Sequence, residues 1–297
     1  MQAHTTVLLE ESVAALNLKP RAVAVDATVG QGGHALLMAA AVGAQGTVLA
    51  LDADTTSLAR AQSVLEGANA HLVFVHGNFR HIKDHAVRAG ITSADGILFD
   101  LGWHSGQLQS GRGFSFNEDA PLVMTLNPDA AAYTTTAADI IATWSEEDLA
   151  NLFKTLGGER FSGRIARVIV ETRERTKIET SKQLADVIIS AVPRKFQKGR
   201  IHPATRVFQA LRMQVNDELG ALKDGLNSAY ELLAPEGRLA VISFHSLEDK
   251  VVKEWMRERG KSEQGTIVTK KPMVPSRQEQ KQNPRSRSAK LRIFQKL

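Results

Sequence analysis

The sequence predicts an α/β fold, a mostly parallel sheet that is interrupted by an inserted all-α domain. Short apolar runs rich in β-branched residues alternate with helical patterns as far as Gly102. From Pro121 to Arg200 the periodicity is helical only, and a further strand, Arg238 to Phe244, follows later. Parallel strands need long crossover connections, so this order is typical of a right-handed βα sheet with an insertion between its fourth and fifth strands.

The chain before the insertion predicts one helix ahead of the sheet and then alternating strands and helices. The predicted helices are Val7 to Leu16, Ala35 to Ala41 and Ser57 to Leu65. The predicted strands begin at Ala22 and then run over Val48 to Leu51, Leu72 to His76 and Gly96 to Phe99. Each strand is a short apolar run, as expected for a sheet that is buried on both faces.

Capping residues define the helices of the insertion. Ser145 with Asp148 opens one helix, Ser162 to Arg173 is a second, and Thr180 with Gln183 forms a capping box for a third over Leu184 to Val192. A basic loop, Pro193 to Arg200, follows. The predicted domains are residues 1–115 and 203–297, which form the sheet domain, and residues 116–202, which form the helical insertion.

After the insertion, apolar residues spaced by three and four predict a long helical region from Pro203 to Leu233. It stops at a Pro-Glu-Gly turn. Arg238 to Phe244 is the fifth strand, Ser246 with Asp249 caps the next helix, and Ala289 to Gln295 is a final edge strand.

Composition restricts the class of protein. The chain has 297 residues, of which 43% are hydrophobic, and it has no cysteine, which excludes disulfides and thiolate chemistry. No apolar run is long enough to span a bilayer, and the first residues do not resemble a signal peptide. We therefore expect a soluble cytoplasmic protein without membrane association. No cluster of metal ligands is apparent in the sequence, and no bound metal is expected.

The basic character belongs to the C-terminal tail. The net charge is +5, but residues 270–297 alone hold nine lysines and arginines against the single acid Glu279. Such asymmetry is a common feature of proteins that bind polyanions, although a charge run is also an ordinary solvated surface. Composition by itself leaves both interpretations open.

A glycine-rich turn follows the first strand and predicts a cofactor site. Gly30, Gly32 and Gly33 lie within four positions, ahead of a helix whose N-terminal amides would face a ligand. Asp52 ends the second strand 22 positions after Gly30, where an acidic side chain accepts hydrogen bonds from ribose hydroxyls. These residues fit either NAD or S-adenosylmethionine, and the spacing alone does not choose between them.

Two further residues follow strand ends and are expected near the cofactor. Phe79 comes shortly after the third strand and is placed either to pack against an adenine ring or to lie in the core. Asp100 ends the fourth strand, and because aspartate is scarce inside strands, its position favours a functional role.

Eight motifs resemble one known family, the MraW-type ribosomal RNA small-subunit methyltransferases. They run along almost the whole chain, and they are His4–Leu9 with Glu11, Asp26–His34, Asp95–Gly102, Arg112–Phe116, His202–Arg212, Val215–Leu219, Ser243–Asp249 and Asn283–Arg292. The resemblance implies a class I (Rossmann-like) methyltransferase sheet with a helical substrate-recognition domain, which agrees with the fold predicted from periodicity. It also selects S-adenosylmethionine over NAD.

The resemblance further implies methylation of the exocyclic amine (N4) of a cytidine in the decoding region of small-subunit (16S) ribosomal RNA. The partner would be ribosomal RNA or the small subunit. The family's cofactor-binding positions match Gly32, Gly33, His34, Asp52, Phe79, Asp100 and Gln107. Asp100 is the candidate catalytic residue, as acceptor of a proton from the amine, and His104 is the alternative acceptor.

Basic and aromatic side chains are the expected contacts to RNA. Trp103, Phe114 and Phe116 are candidates for stacking on the flipped cytidine. The expected phosphate contacts are Arg194, Lys195, Lys198, Arg200, Arg206, Arg285, Arg287 and Arg292.

The chain departs from the family pattern in two places. His104 and Ser105 stand where the family has two serines, and the block from Pro121 to Asn127 lacks two acids and an arginine of the family motif. A non-catalytic or retargeted RNA-binding assembly factor is therefore the main alternative to the enzyme. An NAD-dependent oxidoreductase is the second alternative, but an oxidoreductase has no use for the basic tail.

Overall fold

The computed structural model describes residues 6–102, 111–126, 135–198 and 201–297. The chain divides into two compact units. The sheet unit comprises residues 1–102 and 219–297, and the helical unit comprises residues 103–218. The predicted boundaries at 115/116 and 202/203 thus fall inside the helical unit, because the residues on either side of them pack in its core.

The sheet unit contains a seven-stranded sheet in the order β3-β2-β1-β4-β5-β7-β6. The first five strands are parallel, while β7 runs antiparallel to both of its neighbours. The strands are β1 (Val23–Asp26), β2 (Thr47–Asp52), β3 (His71–His76), β4 (Ala94–Asp100), β5 (Leu233–Ser243), β6 (Gly265–Ile267) and β7 (Lys290–Lys296). The sequence prediction of an α/β class I sheet is confirmed.

Seven α-helices of the sheet unit connect or flank these strands in its described part. They are α1 (Leu9–Leu16), α2 (Gly33–Val42), α3 (Thr55–Val64), α4 (Ile82–Arg88), α11 (Glu218–Leu232), α12 (Ser246–Lys261) and α13 (Arg277–Gln282). Alternation along each strand builds a core on both faces. Val25 and Ile97 belong to one buried cluster, whereas their neighbours Ala24 and Leu98 belong to the other.

The helical unit has its own core, formed by helices between α4 and α11. These are α5 (Ala137–Thr143), α6 (Glu146–Thr155), α7 (Ser162–Arg173), α8 (Ser181–Ala191), α9 (Arg194–Gln197) and α10 (Thr205–Val215). Ser145 caps α6, and Thr180 with Gln183 forms a reciprocal capping box on α8, both as predicted. Phe114 and Val207, which lie on either side of the predicted insertion, are buried in this same core together with Leu122 from within it.

Four details of the sequence prediction are wrong. The long helical region is two helices, because Asp217 adopts a left-handed φ of 44° between α10 and α11. β7 is an internal strand, since the short strand β6 covers its outer edge. His245 with Glu248, and not Ser246 with Asp249, forms the cap of α12. The basic loop contains the one-turn helix α9.

In the described part of the chain, no helix is long and apolar enough to cross a membrane.

Candidate active site

Three neighbouring parallel strands of the sheet unit end in aspartates. Asp26 is the last residue of β1, Asp52 of β2 and Asp100 of β4, and β1 lies between the other two strands. Because parallel strands present their carboxyl ends at one edge of the sheet, the three side chains gather at the edge where open α/β sheets bind ligands.

The glycine-rich turn between β1 and α2 lies at this same edge. Gly30 (φ 52°) and Gly32 (φ 85°) adopt left-handed conformations, and Gly32 is the N-cap of α2. The Gly30 N–H donates to Asp52 Oδ2 at 2.9 Å, and Val29 N–H donates to the Leu51 carbonyl at 2.8 Å. Hydrogen bonds to the end of β2 therefore fix the shape of the turn.

Asp26 is the most deeply buried of the three carboxyl groups. Its side chain is fully buried, and Oδ1 accepts a hydrogen bond from Thr28 N–H at 3.2 Å. Oδ2 has no hydrogen-bond partner among the described residues. Burial, with a smaller contribution from the charge of Asp52, raises the pKa of Asp26 to about 7.

Asp100 also has a buried acceptor atom without a partner among the described residues. Its backbone N–H donates to Thr28 Oγ1 at 2.7 Å, and its Oδ2 lies 3.7 Å from Nδ1 of His34. Oδ1 is buried and makes no hydrogen bond within the described ranges. Burial, followed by the charges of Asp26 and Glu248, raises the pKa of Asp100 well above its usual value.

Asp52 differs because both of its oxygens already accept hydrogen bonds. Oδ1 accepts from Asp54 N–H at 2.9 Å and Oδ2 accepts from Gly30 N–H. Burial raises the pKa of Asp52 to about 6 although these hydrogen bonds oppose the shift. Each carboxylate oxygen has a second lone pair, so Asp52 keeps the capacity to accept from a hydroxyl group.

Comparison with known proteins identifies the family. The MraW methylase family matches residues 1–297. The chain is 41% identical, over 99% of its length and 98% of the relative's, to "Ribosomal RNA small subunit methyltransferase H" of Brevibacillus brevis. The chain belongs to the MraW methylase family. The family prediction from the sequence motifs is thereby confirmed.

Solved structures are similar to this chain at a much lower sequence identity. A putative rRNA-methylase from Clostridium thermocellum gives a TM-score of 0.46 at 12% identity, with 99% of this chain and all of that chain covered. NSun6 from Pyrococcus horikoshii gives a TM-score of 0.48 at 12% identity, with 99% of this chain and 53% of that chain covered.

As an MraW-family methyltransferase, the protein uses S-adenosylmethionine, and the carboxylate edge fits this cofactor. The cofactor has a cationic sulfonium, an ammonium group and two ribose hydroxyls. Asp26 Oδ2 and Asp100 Oδ1 are buried acceptors without partners in the described part of the chain. A buried acceptor without a partner is costly, and a cationic donor removes that cost. The NAD alternative does not fit the family.

The structure brings most of the predicted cofactor residues of this MraW-family protein together. Gly32, Gly33 and His34 form the start of α2, and Asp52 and Asp100 lie at neighbouring strand ends. Phe79 is half-buried, with its ring 5.4 Å from that of Phe99 in an edge-to-face contact, so it also packs on the core. Gln107, like His104 and Trp103, lies outside the described residues.

Three groups at this edge have no predicted role in the sequence. Asp26 was part of a motif but received no role, although the rule that selected Asp100, an acid at a strand end, applies to it equally. Thr28 holds the backbone of Asp100. Glu248, at the start of α12, is buried and adds negative charge near Asp100. The last two could not be found without knowing which strand ends are neighbours.

The predicted RNA contacts differ in exposure. Six of the eight are exposed in the structure, namely Arg194, Lys195, Lys198, Arg206, Arg285 and Arg287, while Arg200 lies outside the described residues. Arg292 is a correction. Its side chain is buried and Nε donates to Asp249 at 2.7 Å, so its charge is neutralised within the protein.

The aromatic side chains predicted to stack on the cytidine, where the structure describes them, contact other residues of the helical unit. Phe114 is buried in the core, and the ring of Phe116 stacks on His202 at 4.2 Å. Phe114 therefore cannot stack on a base, which corrects that expectation. The side chain of Asn216 holds the backbone of the altered family block. Asn216 bridges the Met124 carbonyl and the Leu126 N–H, each at 2.8 Å.

The raised pKa values predict that cofactor binding releases protons. At pH 7, Asp26 is about half protonated, and burial also raises the pKa of Asp100 well above its usual value, whereas a cationic ligand favours the charged form of each group. From Asp26 alone we expect release of about half a proton per cofactor bound at pH 7 and an affinity that rises roughly fivefold from pH 6 to pH 7, and ionisation of Asp100 adds to both. Calorimetric titration in two buffers of different ionisation enthalpy measures both quantities.

S-Adenosylhomocysteine provides the matched control, because it lacks only the transferable methyl group and with it the sulfonium charge, and keeps the ribose, the adenine and the ammonium group. Its proton release should be smaller. Equal enthalpies in the two buffers, together with an affinity that does not change with pH, would show that the carboxyl groups do not ionise against the cofactor.

Proposed function

We propose that the protein transfers a methyl group from S-adenosylmethionine to the exocyclic amine (N4) of a cytidine in the decoding region of small-subunit ribosomal RNA. The observation that carries this proposal is the 41% identity, over nearly the whole of both chains, to a relative named ribosomal RNA small subunit methyltransferase H. The exposed basic side chains of both units support an RNA substrate.

The proposed catalysis depends on position and on one proton acceptor. When bound, S-adenosylmethionine supplies an electrophilic methyl group. An amine conjugated with a pyrimidine ring is a weak nucleophile, so a group that accepts one of its protons strengthens it. Asp100 is the proposed acceptor, because its Oδ1 is buried and makes no hydrogen bond within the described ranges. His34, whose Nδ1 is 3.7 Å from Asp100 Oδ2, would hold that carboxyl group in place.

The remaining site residues are proposed to bind and orient. Asp52 would accept from the ribose hydroxyls, and Gly32 and Gly33 would allow close approach to the backbone at the start of α2. Asp26 would accept from a cationic group of the cofactor. Phe79 and Gln107 stay predictions as cofactor contacts. Correct alignment of amine, methyl carbon and sulfur would supply most of the rate enhancement.

The proposed contacts to RNA are the exposed cations at α9, at Arg206 and in the segment before β7. Arg194, Lys195 and Lys198 lie at or beside α9, and Arg285 and Arg287 lie in the 3₁₀ turn at Pro284–Ser288. They would bind phosphate oxygens, which positions RNA without reading its sequence.

The test is methyl transfer with the site of modification determined. Small ribosomal subunits and free small-subunit RNA are incubated with the protein and isotopically labelled S-adenosylmethionine. The RNA is then digested and its nucleosides are separated by mass spectrometry. We expect label in N4-methylcytidine from one oligonucleotide of the decoding region. Label in another nucleoside would contradict the N4 assignment.

A retargeted or non-catalytic assembly factor is the second candidate. It is favoured by one observation, the loss of two acids and an arginine from the block between Pro121 and Asn127. If the protein binds the cofactor and the subunit but transfers no methyl group to either RNA or protein, this candidate replaces the enzyme.

A further inference from the structure

A basic groove lies in the sheet unit between helix α12 and strand β6. Its volume is about 610 Å³, and five of its ten lining residues are cationic while none is acidic. The basic residues are Lys253, Arg257, Lys261, Lys270 and Arg292, of which Arg292 is buried and already paired with Asp249. Met256, Ile267, Gly260 and Gly265 contribute to its lining as well. None of these residues belongs to the carboxylate edge described above.

Three of the cations form a row on α12. Lys253, Arg257 and Lys261 follow each other at intervals of four residues, so they share one helix face with about 6 Å of axial rise between neighbours. All three are exposed, as is Lys270 from the segment after β6. In the part of the chain that the structure describes, none of these four side chains forms an ion pair.

The acids of α12 lie on other faces of the helix. Glu254 and Glu258 each follow a groove cation by one position, about 100° around the helix, and Glu254 pairs with Lys250 at 3.9 Å. Like charges four residues apart destabilise a helix. The helix dipole favours Lys261, in the last turn, but not Lys253 two turns earlier. Glu254 and Glu258 also lie three residues before Arg257 and Lys261, a spacing that allows ion pairs, but neither pair forms in the described part of the chain. The exposed charges of the row therefore remain available to a ligand.

We infer that this groove is a second RNA-binding surface, which holds phosphates of the sugar–phosphate backbone outside the catalytic site. The inference rests on the proposed ribosomal RNA substrate. Regularly spaced cations along a groove about 12 Å long suit a linear polyanion, whereas a single free phosphate would need only one of them. A Cβ added at Gly260 would meet no atom closer than 3.9 Å, so a side chain can be placed in the groove at this position.

The test compares two triple variants that remove the same charge. The groove variant is Lys253→Gln, Arg257→Gln and Lys261→Gln. The control variant is Lys19→Gln, Arg88→Gln and Lys223→Gln, at exposed positions of the same unit that do not line the groove. Affinity for a fluorescent transcript of small-subunit RNA is measured by anisotropy from 50 to 200 mM salt, with circular dichroism and cofactor titration as checks on folding.

Three lost phosphate contacts reduce the slope of log affinity against log salt by about 2, since each contact contributes about 0.7 for single strands. The groove variant should therefore lose about 20-fold less affinity than wild type between the two salt concentrations, while the control variant keeps the wild-type slope. Equal slopes for the two triple variants would show that the groove does not bind RNA and would leave the proposed function intact. Wild-type protein that does not bind the transcript would overturn both.

A second pair of variants tests charge at constant size. Gly260→Glu and Gly260→Gln place side chains of the same length in the groove, and only the first adds a negative charge. We expect Gly260→Glu to bind the transcript several-fold more weakly than Gly260→Gln. Equal binding, or binding of the wild-type protein to vesicles of anionic lipid in place of RNA through the same three cations, would contradict the proposal.

Discussion

Replacing Asp100 with asparagine should reduce the rate of methyl transfer roughly 100- to 10,000-fold at saturating cofactor, which is the range that a positioned proton acceptor contributes. Asparagine has nearly the same shape and cannot take a proton. Its backbone N–H still donates to Thr28 Oγ1, so the end of β4 should keep its position. The measurement is a single-turnover rate on small subunits, with cofactor affinity determined separately by titration.

Asp95 provides the matched control, since it is an aspartate of the same strand at the opposite edge of the sheet. It is exposed and accepts a hydrogen bond from Val23 N–H at 2.7 Å, which asparagine can also accept. Asp95→Asn should change the rate by no more than about twofold. If Asp100→Asn weakens cofactor binding but keeps the wild-type rate at saturation, Asp100 holds the cofactor and another group takes the proton.

The strands and the glycine turn were predictable because each depends on local sequence. A buried parallel strand is an apolar run, so Val48 to Leu51 is predicted as a strand. The residues at positive φ in the turn are glycines, so Gly30 to Gly33 predicts the turn. Capping boxes are local as well, which is why Thr180 and Gln183 gave the start of α8.

The errors arose where distant contacts decide the structure. Asp217 breaks the helical region, although the apolar spacing continues through it, because Arg212 forms two hydrogen bonds with Glu218 across the turn. β6 has only three residues and is defined by its pairing with β7, not by its own sequence. Arg292 looked like a free cation in a basic tail, but β7 places it against Asp249 of α12.

The three aspartates at the strand ends show the same distinction between local and distant determinants. The sequence predicted acids at strand ends that face one cofactor, but the burial of these acids and the order of their strands came only from the fold. The raised pKa of Asp26 depends on both, since it results mainly from burial and, in smaller part, from the charge of Asp52. No local pattern distinguishes such a carboxyl group from an ordinary aspartate that starts a turn.

Asp26→Asn should stabilise the protein without ligand and weaken its binding of cofactor. The pKa of Asp26 rises from 3.8 to about 7 on folding, so the folded state binds the proton more tightly than the unfolded state. The resulting cost is absent below pH 4, grows as pH rises towards 7 and then stays constant at about 4 kcal/mol. Asparagine keeps an acceptor for Thr28 N–H and avoids this cost.

Urea unfolding at pH 4.5 and at pH 8 measures the first effect. The variant should gain stability over wild type by up to about 4 kcal/mol at pH 8 and by much less at pH 4.5. Its affinity for S-adenosylmethionine should fall at least tenfold, because a cationic group of the cofactor loses its buried carboxylate. A residue that serves only the fold would not show these opposite signs, since its replacement lowers stability and binding together. A variant that is less stable at pH 8 and binds the cofactor normally would exclude Asp26 from the cofactor site.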